Sequence, residues 1–131
     1  MEKIFVKISW QDNYGASYDD ASGCVVATHK TLDGVKKGFE SALKFHIEGL
    51  DKSEISASLQ GEYKLVFKLD VHALLNHYKG IITLKALSKF TGINEKQLGH
   101  YTQGIRTPRP EQRQKIIKGI HHLGEELLAV V

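Results

Sequence analysis

Arg106, Arg109 and Arg113 fall within eight positions of one another and are the only arginines in the chain. They follow the segment TGINEKQLGHYTQG, which spans residues 91–104. Guanidinium forks match the geometry of phosphate oxygens, so a cluster of this kind suits an anionic partner. Just upstream stand Glu95, Lys96, Gln97, Gly99, His100 and Gln103, the outward positions of a short helix that starts at Asn94. Lysine can donate to guanine and glutamine can pair with the edge of adenine, so Lys96 and Gln97 have the reach and chemistry to read bases. His100 and Gln103 follow on the same helix. Arg106 and Arg109 lie past its end and suit phosphates, which fix register without reading sequence. Two residues pull the other way. Glu95 is negative, although it can accept from cytosine. Gly99 weakens the helix by about 1 kcal/mol relative to alanine.

Other residues invite bond-making chemistry and support it less well. Asp12, Asp19, Asp20 and Asp33 could hold Mg²⁺ for a metal-dependent nuclease. Turn formation by Asp19-Asp20 and a helix N-terminal role for Asp33 are the stronger reading. His72 and His77 are five apart, and His121 and His122 are adjacent. Neither spacing stacks two rings on one helical face, as a four-residue step would. Cys24 lies in the apolar run CVVA and is expected to be a small buried side chain. No Ser-His-Asp order and no phosphate loop stand out. The expectation is a binding protein with no catalytic, metal or cofactor site.

The elements that position these residues show in the apolar periodicity. Lys3–Trp10 alternates as a half-buried strand, Asn13–Tyr18 reads as a second and Cys24–Thr28 as a third. Thr31 caps a helix with Leu32, Val35, Phe39, Leu43, Ile47 and Leu50 on one stripe, and Gly49 is its stop. Residues 51–61 are a loop or short helix, and Glu62–Leu69 is a fourth strand. Residues 1–69 thus form an α+β unit of order β-β-β-α-β, a small antiparallel sheet with one packed helix.

Residues 70–131 are all-α. Asp70 opens a helix ended by Gly80, and Thr83 caps a second that stops at Gly92. Asn94 with Gln97 makes a capping-box pattern for a third. Pro110 sits in the first turn of a fourth, which carries Ile116, Ile117, Ile120 and Leu123. A tight turn at Gly92 between two short helices, with Leu87, Ile93, Leu98 and Tyr101 as apolar packing positions, is the pattern of a helix-turn-helix. Such a motif places the N-terminal turns of its second helix in the major groove.

Charge separates along the same boundary. Residues 1–69 hold nine lysines against ten acids, and residues 70–131 hold six lysines and three arginines against five acids. The basic half is the one with the helix pair. No apolar run approaches the ~20 residues of a membrane span. The alternating MEKIFVKISW is unlike a signal peptide, and a single cysteine fits a reducing compartment, so a cytoplasmic location is expected.

The stretch LKALSKFTGINEKQLGHYTQGIRTP resembles DNA-binding domains of the Xre and phage-repressor type, which end in a glycine followed by basic residues and a proline, as do Gly104, Arg106 and Pro108 here. GCVVATHKTLDGVKKGFESALKFHIEGL resembles the N-terminal domain of HicB-type antitoxins, through Gly23 leading a strand and Thr31-Leu32 opening an amphipathic helix. That likeness extends over roughly residues 3–69 and implies a truncated ribonuclease H-like fold without nuclease activity. It further implies an antitoxin that blocks a small HicA-type ribonuclease toxin and represses its own operon by binding operator DNA. A homodimer or homotetramer would meet a palindromic operator, with LLAVV at the end of the last helix as one candidate dimer surface. A stand-alone regulator with a ligand-sensing or dimerising front unit is the alternative reading, and a nuclease a distant one.

Overall fold

Alternation along Glu2–Gln11 (β1) turns Ile4, Val6 and Ile8 to one face of a sheet, where each is at most 3% exposed. In the computed structural model, which describes residues 1–131, β1 pairs antiparallel with Asn13–Asp20 (β2), and β2 pairs antiparallel with Gly23–His29 (β3). Lys7 lies opposite Ser17, and Ser17 opposite Val26, so one set of alternate residues from all three strands shares a face.

The helix Leu32–Glu48 (α1) covers the other face. Thr31 caps it, its hydroxyl accepting from the Gly34 amide at 3.0 Å. Val35, Phe39 and Leu43 form its buried stripe. A 3-10 turn at Lys52–Glu54 and a short helix, Ala57–Gln60 (α2), follow, and Leu59 is buried there.

Tyr63–Leu69 (β4) then runs parallel to β1, with Ile4 beside Leu65 and Val6 beside Phe67. The order is β3-β2-β1-β4, a mixed sheet rather than the antiparallel one the sequence suggested. The reason lies in the connection. A helical crossover carries the chain back to the end of the sheet where β3 began, so the next strand repeats the direction of β3 and hence of β1. Phe39 and Phe67 meet edge-to-face at 6.2 Å and tie the crossover helix to the new strand.

The chain divides into two compact units, Met1–Asp70 and Val71–Val131. The second holds Val71–Tyr78 (α3), Leu84–Thr91 (α4), Glu95–Gln103 (α5) and Pro110–Leu128 (α6). Its core is Val71, Leu75, Leu87, Ile93, Leu98, Tyr101 and Ile116. Helix α6 crosses α4 at Gly119, where a Cβ would come within 2.7 Å of Thr91 Cγ2 and 2.8 Å of the Phe90 carbonyl oxygen. The buried Thr91 hydroxyl is satisfied on both sides: it donates to the Leu87 carbonyl and accepts from the Ile93 amide. No helix is long and apolar enough to cross a membrane.

Candidate nucleic-acid interface

Helices α4 and α5 are joined by Gly92, Ile93 and Asn94. Thr83 starts α4 by accepting from the Ala86 amide, and Gly92 ends it at φ 76°, where its amide donates to the Ser88 carbonyl. That left-handed conformation favours glycine and reverses the chain in one residue. Ile93 plugs the turn at 5% exposure, and Leu98 and Tyr101 carry α5 down onto Leu87 in the shared core. Asn94 accepts from the Gln97 amide at 2.8 Å.

The second half of the expected capping box does not form. The Gln97 side chain donates instead to the Tyr101 hydroxyl at 2.8 Å, an acceptor one turn further along the same face. Gly99 does not face outward either: a Cβ there would sit 3.7 Å from Leu84 Cδ1, toward the start of α4.

The six candidate contact residues separate into two groups. Lys96, His100 and Gln103 follow one stripe of α5 at steps of four and three. Lys96 and Gln103 are exposed; His100 is half-buried, with Nδ1 shielded and lacking a hydrogen-bond partner. Gln97, Arg106 and Arg109 line one cleft of about 290 Å³ with Tyr101, Thr107 and Gln112.

Backbone geometry builds that cleft. Gly104 ends α5 at φ 76°, and the amides of Ile105 and Arg106 both donate to the His100 carbonyl, which folds the chain back over the helix end. Arg109 then takes the extended conformation that a following proline demands, and its side chain makes no capping bond to α6. Its guanidinium therefore stands at the N-terminus of a 19-residue helix, where free amides and the helix dipole also favour an anion. Gln112 and Thr107 were not among the sequence candidates. The signal for Gln112 was its place in the first turn after Pro110, on the side where α6 begins.

The first unit holds a constellation that chain order concealed. The Ser22 hydroxyl donates to Asp20 Oδ1 and lies 3.2 Å from His46 Nε2. Serine sits in the middle and its one proton goes to Asp20, so the His46 nitrogen donates to Ser22 and does not withdraw its proton. This is the reverse of a nucleophile-activating triad. Burial would raise the Asp20 carboxyl, but hydrogen bonds from the hydroxyls of Ser22 and Ser56, the Ser22 amide and the Tyr18 hydroxyl outweigh it and hold the group at about 2. Burial and then the Asp20 carboxylate raise the Tyr18 phenol.

Asp19 and Asp20 end β2 rather than sit in a free turn, and as strand neighbours they point to opposite faces, away from a common metal. The same alternation corrects the expectation for Cys24. It is exposed, as is Val26 at 63%, because Val25 takes the buried face.

Comparison with protein-family models, curated proteins and solved structures finds no match to this chain.

Proposed function

We propose that the chain is a DNA-binding repressor of HicB-antitoxin type, in which the second unit binds operator DNA and the first binds a small ribonuclease toxin. The observation that carries the DNA-binding half is the convergence of Gln97, Arg106 and Arg109 on one cleft, beside the exposed Lys96 at the start of α5. Lys96 and Gln97 meet base edges, Arg106 and Arg109 meet phosphates, and His100 and Gln103 extend the contact along the groove. The αL turn at Gly92 supports this by presenting α5 as a short, separately capped helix.

The antitoxin half rests on the resemblance of the first unit, and the β-β-β-α-β order supports it. The sheet has two edges for a partner strand, at β3 and β4. Two experiments test the two halves. Fluorescence anisotropy against the DNA upstream of its own gene should show binding that survives excess scrambled duplex; equal affinity for both sequences would refute the repressor. Co-expression with the product of an adjacent small reading frame should yield a complex and relieve toxicity. Failure of the second alone would leave a stand-alone regulator.

A further inference from the structure

We propose that the open face of the sheet in the first unit binds single-stranded nucleic acid, with paired lysines on phosphates and the Phe5 ring stacked on a base. Register sets the arrangement. Lys3 lies beside Lys64, Phe5 beside Val66, and Lys7 beside Lys68, all on the face that α1 leaves uncovered. All four lysines are exposed, Phe5 is 59% exposed, and none of the lysines has an ion-pair or hydrogen-bond partner. Neighbouring strands stand about 4.8 Å apart, so each pair concentrates like charge. Four residues along a strand, at about 3.3 Å each, set the two pairs roughly 13 Å apart with the apolar pair between them.

Like charges directly across strands cost stability. Lysines on β4 guard an edge against aggregation, but β1 is an interior strand, and edge protection does not account for Lys3 and Lys7. An anion that accepts from both pairs does. The occupant follows from charge and shape. A basic ribonuclease would be repelled by this face, which sets it apart from the toxin contact of the preceding reading. A duplex keeps its bases stacked and has no use for an exposed ring, whereas a single strand offers both phosphates and free base faces. Beside Phe5 a hollow of about 310 Å³ is lined by Lys7, Ser17, Tyr18, Asp19 and Cys24. That is the volume of about ten waters, which admits a planar base. Asp19 is the one acid lining the hollow, and its carboxylate can accept from an exocyclic amine.

The test is an anisotropy titration of the full chain with a labelled 12-nucleotide single-stranded DNA of mixed sequence, at several salt concentrations. Lys3→Ser/Lys64→Ser and Lys7→Ser/Lys68→Ser should each weaken binding and reduce the salt slope by about 0.7 per lysine. Phe5→Ser should weaken binding about fivefold or more with the slope unchanged. Arg106→Ala/Arg109→Ala should leave this binding in place while reducing duplex binding, so the two sites fail separately. Circular dichroism melts confirm that the variants fold. Absence of binding at low salt, binding that is lost with the arginines and kept without the lysines, or insensitivity to Phe5→Ser would overturn the proposal. So would equal competition by poly-glutamate, which would make the face a dock for acidic polypeptide.

Discussion

Asp20 is a single carboxylate that ties three parts of the first unit together. It accepts from Tyr18 and Ser22 around the β2–β3 turn and from Ser56 in the segment before α2, while Ser22 also contacts His46 near the end of α1. Its folded value of about 2 lies below the ordinary 3.8. A depressed carboxyl stabilises the fold above its unfolded value, and that contribution is lost as pH falls through the folded one. Urea midpoints should therefore drop between about pH 4 and pH 2 more steeply in the wild type than in Asp20→Asn, which should already be less stable at pH 7. Parallel pH profiles for the two proteins would remove Asp20 from this role. Cys24 gives a second check at the same scale. Being exposed on the open sheet face, it should react with a thiol reagent in the native protein without prior unfolding. Protection until unfolding would mean that the face is covered.

At the scale of elements, capping and periodicity were legible in the sequence because they are local. Thr31, Thr83 and Asn94 each cap the helix they were expected to open. Of the six stripe positions the spacing implied for α1, Val35, Phe39 and Leu43 are buried, Leu32 and Ile47 are half-buried, and Leu50 lies past the helix end. The parallel direction of β4 was hidden, because it depends on where a crossover delivers the chain and not on the composition of EYKLVFKL. Cys24 was misplaced for a related reason: in a run as short and uniformly apolar as CVVA, the pattern does not reveal which alternate residues face the helix, and the pairing with β2 decides it. The role of Gly119 was likewise invisible, since glycine in a helix reads as a weakness until the neighbouring backbone is in view. At its contact with Phe90 and Thr91 an added methyl meets main chain, so Gly119→Ala should destabilise the second unit by about 1–3 kcal/mol despite the better helix propensity of alanine. Thermal melting would detect this. A variant as stable as the wild type would show that α6 and α4 can move apart without loss.

For the whole molecule, the charge asymmetry between its halves is resolved by the structure into local surfaces. In the second unit Arg106 and Arg109 share a cleft with Gln97, although twelve positions separate Gln97 from Arg109. The sequence could name these residues from their types. It could not show that the αL turn at Gly104 folds the basic tail back beside α5, or that Gln97 is already engaged with Tyr101. In the first unit a balanced composition conceals two cross-strand lysine pairs, Lys3 beside Lys64 and Lys7 beside Lys68, which only the register of β1 and β4 reveals.

The central claim is that the second unit binds duplex DNA through Arg106 and Arg109 at phosphates. Its most direct test is the salt dependence of binding to the chain's own upstream duplex, measured for the wild type and for Arg106→Ala and Arg109→Ala. Each substitution should reduce the log–log salt slope by about 0.9 and weaken binding to every duplex sequence alike. An unchanged slope, or a changed base preference at constant slope, would contradict the account.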